Sequence, residues 1–232
     1  MSDVDFRIVD TAELADEAAA SLIAEAAGSG GHIGLSGGSG PRQAYERTGI
    51  LRPDWRRVDL WWVDDRVVPP ADALSNYRLV RESLLDGLSH EPTVHRVPTE
   101  SGPERAADEY DRALAGVALD LAVMGIGADG HTASLFPNAP TLDVADRRAI
   151  TAEAGMEPFV PRVTMTRTML SFSKVMVYLV TGEGKARAVT RAFVDEPSPE
   201  TPASLIRGQQ TVAILDRAPA SMLTPGSDPE GV

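Results

Sequence analysis

From residue 6 to residue 215 the chain alternates between short apolar runs and longer stretches whose apolar residues recur every three or four positions. The short runs read as strands and the longer ones as amphipathic helices. FRIV (6–9) leads into TAELADEAAASLIAEAA (11–27), an alanine-rich helix with Thr11 or Asp10 as its N-cap. HIGLS (32–36) reads as a buried strand, and the following GGSGPRQAYERT turns through glycines into a short helix with Pro41 near its first turn. Strand VDLWWV (58–63), helix SNYRLVRESLL (75–85), strand TVHRV (93–97), helix GPERAADEYDRALAG (102–116) and strand LDLAVMG (119–125) continue the series. The pattern then becomes less regular. RRAITAE (147–153) and PFVPRVTM (158–165) are expected to be strands that pair as a hairpin. Strand KVMVYLV (174–180), helix GEGKARAVTRAFV (182–194), SLIRG (204–208) and strand TVAIL (211–215) complete it.

Strands alternating with helices imply a mainly parallel sheet covered on both faces, in one α/β domain spanning residues 1–220. Residues 221–232, ending TPGSDPEGV, are expected to form a disordered tail, because they offer little apolar surface to bury. In such sheets ligands bind beyond the carboxyl ends of the strands. Several chemically loaded segments fall at those ends.

Composition narrows the chemistry. With 232 residues, 43% of them hydrophobic, the chain can bury a sizeable core. No apolar run approaches the 18 or so residues of a membrane span. MSDVDFRIVD is acidic and lacks an apolar core, so it does not read as a signal peptide. Cysteine is absent, which excludes disulfides, thiol catalysis and thiolate metal sites, and fits a cytoplasmic location. A formal net charge of −12 argues against nucleic-acid or anionic-membrane partners, but not against a small anion held in a local basic pocket. The only lysines are Lys174 and Lys185.

Four loops could carry chemistry. LSGGSGPR (35–42) follows a strand and opens a helix, so its backbone N–H groups could cradle a phosphate; it could equally be a tight turn. WWVDDRVVPPADALSNYR (61–78) releases Asp64, Asp65 and Arg66 from a buried strand. Arg66 could clamp a phosphate or carboxylate oriented by one of the aspartates, or the group could be a solvated turn. Ser75 and Asn76 read as a helix cap. TGEGKARA (181–188) places Lys185 in a first helical turn, where a cation is disfavoured unless it meets an anion. Arg207, in PASLIRG, could be a further phosphate ligand or an ordinary arginine, and Arg42 and Arg78 could point either into the pocket or out to water.

The fourth loop is VMGIGADGHTASLFP (123–137). Gly125, Gly127 and Gly130 formally satisfy a dinucleotide fingerprint, but Asp129 inside it would oppose a pyrophosphate. Pro137 and Pro140 leave little room for the long helix, and no acidic residue ends a second strand about 20 residues on. A calcium loop lacks its ladder of acidic ligands. What remains is His131 at the end of a glycine turn, two residues from Asp129: a group that titrates near neutrality beside one that can orient it. His32, His90 and His95 read as packing or surface residues. No cluster has metal-ligand spacing, so neither a metal nor another cofactor is expected.

Taken in order, GIGADGHTASLFP with LSGGSGP, WVDDRVVP…SNY and TGEGKA resembles the glucosamine-6-phosphate isomerase/6-phosphogluconolactonase superfamily, over about residues 5–215. The lactonase branch is the nearer. The deaminase branch continues its histidine motif into Ala-Phe-Asn-Glu, whereas here Ala133 is followed by Ser134, Leu135 and Phe136. It also has Asp-Glu-Tyr where this chain has Asp64, Asp65 and Arg66. Asp65 and Gly40 depart slightly from the lactonase pattern, which usually has glutamate and threonine there. The resemblance implies a doubly wound, Rossmann-like α/β fold and metal-free hydrolysis of 6-phospho-D-glucono-1,5-lactone to 6-phosphogluconate in the oxidative pentose phosphate pathway. It implies His131 as general base on water, Asp129 as its orienting partner and Arg66 against the developing negative charge. Gly37, Gly38, Ser39, Lys185 and Arg207 would hold the phosphate, and Asp64 and Asp65 would orient the substrate. A glucosamine-6-phosphate deaminase and a non-catalytic sugar-phosphate-binding module are the alternatives. The partner is then a small phosphosugar, bound by a monomer or a homodimer.

Overall fold

The elements run in the order β1 (Val4–Val9), α1 (Ala12–Ser29), β2 (Gly31–Leu35), α2 (Arg42–Leu51), β3 (Val58–Trp62), β4 (Asp64–Arg66), α3 (Asn76–Ser83), β5 (Thr93–His95), α4 (Pro103–Ala113), β6 (Leu121–Met124), β7 (Ala149–Ala152), β8 (Arg162–Met165), α5 (Arg167–Ser171), β9 (Val175–Val180), α6 (Ala186–Phe193), β10 (Gln210–Asp216) and α7 (Arg217–Ala220). The computed structural model describes residues 4–38 and 40–223. Ser39 and residues 224–232, most of the expected tail, lie outside the described residues.

Seven strands form one parallel sheet in the order β1-β10-β9-β6-β2-β3-β5, and β4-β8-β7 form a small antiparallel sheet. The mainly parallel architecture and the 147–165 hairpin are as the sequence pattern predicts. Trp61 and Trp62 show how the main sheet is covered. Successive strand residues face opposite ways; Trp62 meets Tyr77 of α3, while Trp61 meets Tyr110 of α4. Helices therefore cover both faces. α1 packs on α2, and α2 on α3.

Local chemistry fixes several boundaries. Thr11, not Asp10, caps α1, accepting from the Leu14 N–H at 3.3 Å. The buried face of α1 is mostly alanine, with Ile23, and small side chains let the helix lie close to the sheet. Asp16 is on that same face. The strand expected over 158–165 begins only at Arg162, because Pro158 and Pro161 have no N–H to give to a ladder. The very short β4, α5 and α7 carry too little periodicity to be foreseen.

Two features position the site. The order of strand addition reverses between the parallel neighbours β2 and β6: from β2 the sheet grows toward β3 and β5, and from β6 toward β9 and β10. A crevice opens at such a switch point, beyond the strand ends. The small sheet then hangs over that end, since β4 follows β3 after one residue and the Met165 N–H donates to the Val63 carbonyl at 2.8 Å.

Candidate active site

The crevice is a cleft of about 440 Å³. Its walls come from the loops after β2, β6 and β9, the first turns of α1, and the small sheet. The loop after β2 supplies Gly37 and Gly38. A side chain at Gly37 would overlap the Asn76 carboxamide, and Gly38 has φ +89°, so glycine serves both close approach and left-handed backbone here.

Asn76 organises the next wall. Its Nδ2 donates to the Asp64 carbonyl (2.9 Å) and Oδ1 (3.2 Å), while its Oδ1 accepts from Arg66 Nη1 at 2.7 Å. Arg66 Nη1 also donates to the Leu74 carbonyl at 2.8 Å. Asp64 accepts the Ser134 hydroxyl at 2.6 Å, which ties this wall to the histidine loop. Arg66 and Asp64 thus reach the cleft in a fixed geometry.

Asp65 does not. It is 1% exposed and accepts the N–H groups of Arg66 (2.8 Å), Asn76 (2.7 Å) and Tyr77 (3.1 Å) and the Ser75 hydroxyl (3.3 Å). The substrate-orienting role expected of it gives way to a structural one at the start of α3. Burial pushes its carboxyl up to about 6 against those donors. Ser75 caps α3 as expected, accepting from Arg78 N–H at 3.3 Å. Asn76, read only as part of the cap, also lines the cleft.

In the loop after β6, the Gly127 N–H donates to the His131 carbonyl (2.8 Å) and the Gly130 N–H to the Gly127 carbonyl (2.9 Å), closing a tight turn. His131 Nδ1 lies 2.6 Å from Asp129 Oδ1, and the His131 N–H donates to the same oxygen at 3.1 Å. The hydrogen bond with His131 holds the Asp129 carboxyl down at about 2, so it is an anion near neutrality. An anion only accepts, so Nδ1 carries the proton in this pair; of the two neutral tautomers, this is the one that leaves the lone pair on Nε2. The imidazole packs against Phe136, with ring centroids 5.1 Å apart. No carboxylate takes that position.

Residues 9–214 match the family of glucosamine-6-phosphate isomerases and 6-phosphogluconolactonase. The chain belongs to this family. A 6-phosphogluconolactonase of Synechocystis is 35% identical over 208 residues, covering 84% of this chain and 85% of that one. One from Bos taurus is 35% identical over 230 residues, covering 92% and 88%. The 6-phosphogluconolactonase structure from Thermotoga maritima superposes with a TM-score of 0.80 at 29% identity, covering 92% of this chain and all of that one.

Of the remaining cations, this family member places Lys185 in the cleft, as expected, and Arg207 outside it. Lys185 is half-buried in the cleft wall, and burial lowers its pKa against the opposing charge of Asp129. Among the described residues it forms no ion pair. Arg207 is not in the cleft: its Nη1 donates to the Ala203 and Ile206 carbonyls (2.7 Å each), its Nη2 bonds the Ala192 carbonyl, and its guanidinium lies over Phe193 at 4.8 Å. Arg207 thereby ties the short turn before β10 to the end of α6, a role sequence cannot distinguish from phosphate binding. Arg42 and Arg78 are exposed and pair with Glu82. His32 accepts from Trp61 Nε1 at 3.1 Å, and His95 stacks on Trp61 at 4.1 Å, as packing residues.

Arg162 and Asp16 are among the cleft residues that were not foreseen. Arg162 of β8 is 4% exposed yet lines the cleft. The available signal was a charged residue inside the apolar strand RVTM. Asp16 lines it from α1, where a lone acid on an alanine face was the signal.

Proposed function

We propose that the cleft hydrolyses 6-phospho-D-glucono-1,5-lactone to 6-phosphogluconate, the lactone-opening step of the oxidative pentose phosphate pathway. The observation that carries this reading is the His131–Asp129 pair. Its Nδ1 is committed to the carboxylate and its Nε2 has no partner among the described residues, in a cleft that also holds Arg66 and Lys185.

His131 Nε2 takes a proton from water as the water oxygen bonds to C1 of the lactone. Asp129 holds the ring tautomer and stabilises the imidazolium that forms. Negative charge moves to the former carbonyl oxygen, where Arg66 meets it. As that oxygen reforms its double bond, the C1–O5 bond breaks and the departing O5 takes the proton back from His131. The Gly37–Gly38 turn and Lys185 hold the phosphate, with Ser39 in the same loop. Because the phosphate is remote from C1, its binding energy positions the ester for attack. Asp64 acts through Asn76 and Ser134 to hold Arg66 and the histidine loop in place.

The test generates the lactone in situ and compares wild type with His131→Ala after subtracting spontaneous hydrolysis. Catalysis above background is expected, with a loss of about 10²-fold or more in the variant. Hydrolysis that survives the substitution removes His131 as the base. Ammonia release from glucosamine 6-phosphate, without lactone turnover, would assign the chain to the deaminase branch, and binding without turnover would make it a sugar-phosphate-binding module.

A further inference from the structure

Arg162 is buried with only partial compensation from the described residues. In the register of the small sheet it stands directly opposite Arg66. Like charges opposed across an antiparallel pair are destabilising. Burial and the Arg66 charge both pull the Arg162 pKa below the usual arginine value, and Asp64 and Asp65 only partly oppose them. It remains a cation near neutrality.

Its donors are under-used as well. Arg162 Nη2 donates to the Pro158 carbonyl at 3.2 Å, but its Nε is buried with no partner. Arg66 shows the same deficit: Nη1 is spent on Leu74 and Asn76, and its Nε is also buried and unpartnered. Leaving a charged donor buried and unpaired is costly. An anion received between the two guanidiniums would relieve both the repulsion and the missing hydrogen bonds.

Phe136 tells which end of a ligand that anion belongs to. The His131 imidazole packs against this ring, centroids 5.1 Å apart, and the Arg162 guanidinium carbon lies 5.8 Å from the same centroid. Arg162 therefore belongs to the wall that carries the base. Gly37, Gly38 and Lys185 come from the loops after β2 and β9 on the main sheet.

We propose that Arg162 and Arg66 together bind the C1 end of the phosphosugar, first the carbonyl oxygen as it gains negative charge and then the carboxylate of the product. The cleft then has two anion-binding poles, one for the phosphate and one for C1. This rests on the lactonase reading of the same site and assigns that site a residue beyond it.

The experiment compares two ligands on wild type and Arg162→Gln. 6-Phospho-D-gluconate carries both anions. D-Glucitol 6-phosphate has the same hydroxylated chain and phosphate, without the carboxylate. Arg162→Gln should weaken 6-phosphogluconate by about tenfold or more and lower kcat, while D-glucitol 6-phosphate changes by less than about threefold. Equal weakening of both ligands would put Arg162 at the phosphate and overturn the proposal. No change in either would make it a structural arginine. Should the glutamine variant fail to fold, Arg162→Lys keeps the charge while losing the planar fork, and the same selective loss is expected. Both ligands are read by direct binding, so a protein that binds them with this selectivity but opens no lactone would sink the hydrolase reading alone.

Discussion

Asp16 is an acid that α1 turns toward the sheet among alanines. It is 5% exposed, its Oδ1 is buried without a donor, and burial pushes its carboxyl up to about 6. The sign of the consequence is fixed. Between about pH 4, where the unfolded chain's aspartate titrates, and about pH 6, the folded state binds more protons than the unfolded state. This residue's contribution to stability is therefore most favourable below that window and is lost as pH rises through it. Asp16→Ala should stabilise the protein more at pH 7.5 than at pH 4.5, by about 1–2 kcal/mol in urea unfolding. An equal change at both values would show that the carboxyl is not held in this way. At this scale the sequence disclosed His131, Asp129, Asp64, Arg66 and Lys185, because each sits beside a glycine turn or just beyond a strand end, where side chains meet ligands. Arg162 and Asp16 lie inside regular elements, where pattern identifies the element but not which neighbours its polar residues will lack. Arg207 misled for the converse reason: its partners are backbone carbonyls, which no sequence displays.

Among the elements, α3 depends most on a single side chain. The Asp65 carboxylate collects three backbone N–H groups at the end of β4 and the start of α3. Asp65→Ala should cost about 1–3 kcal/mol in urea unfolding, the range for a lost cap plus buried donors left unpaired. Because the same contacts place Asn76, and Asn76 places Arg66, turnover should fall in parallel even though Asp65 does not line the cleft. Full activity in a destabilised variant would separate the cap from the site. The long elements were legible from their periodicity. β4 was not, since three residues cannot show an alternation, and its pairing with β8 comes from far along the chain. The late start of β8 was readable in principle from Pro158 and Pro161, which bar the ladder.

For the molecule as a whole, alternation of strand and helix was enough to give the sheet and its two helical layers, but not the order of strands. That order is a matter of long-range strand pairing, and it is what creates the switch point under the cleft. It also sets a schedule. Among the described residues β1, the first strand, pairs only with β10, from Val4 against Thr211 to Val9 against Asp216. During synthesis β1 leaves the ribosome long before its partner, and α1, which also packs on β10, keeps part of its alanine face bare until β10 has emerged. A nascent chain stalled before Gln210 should therefore be cut by protease within its first strand and helix, whereas one extended past Asp216 and clear of the exit tunnel should resist. The β1 edge is the last part of this sheet to close, although β1 is made before any of the sheet's other strands.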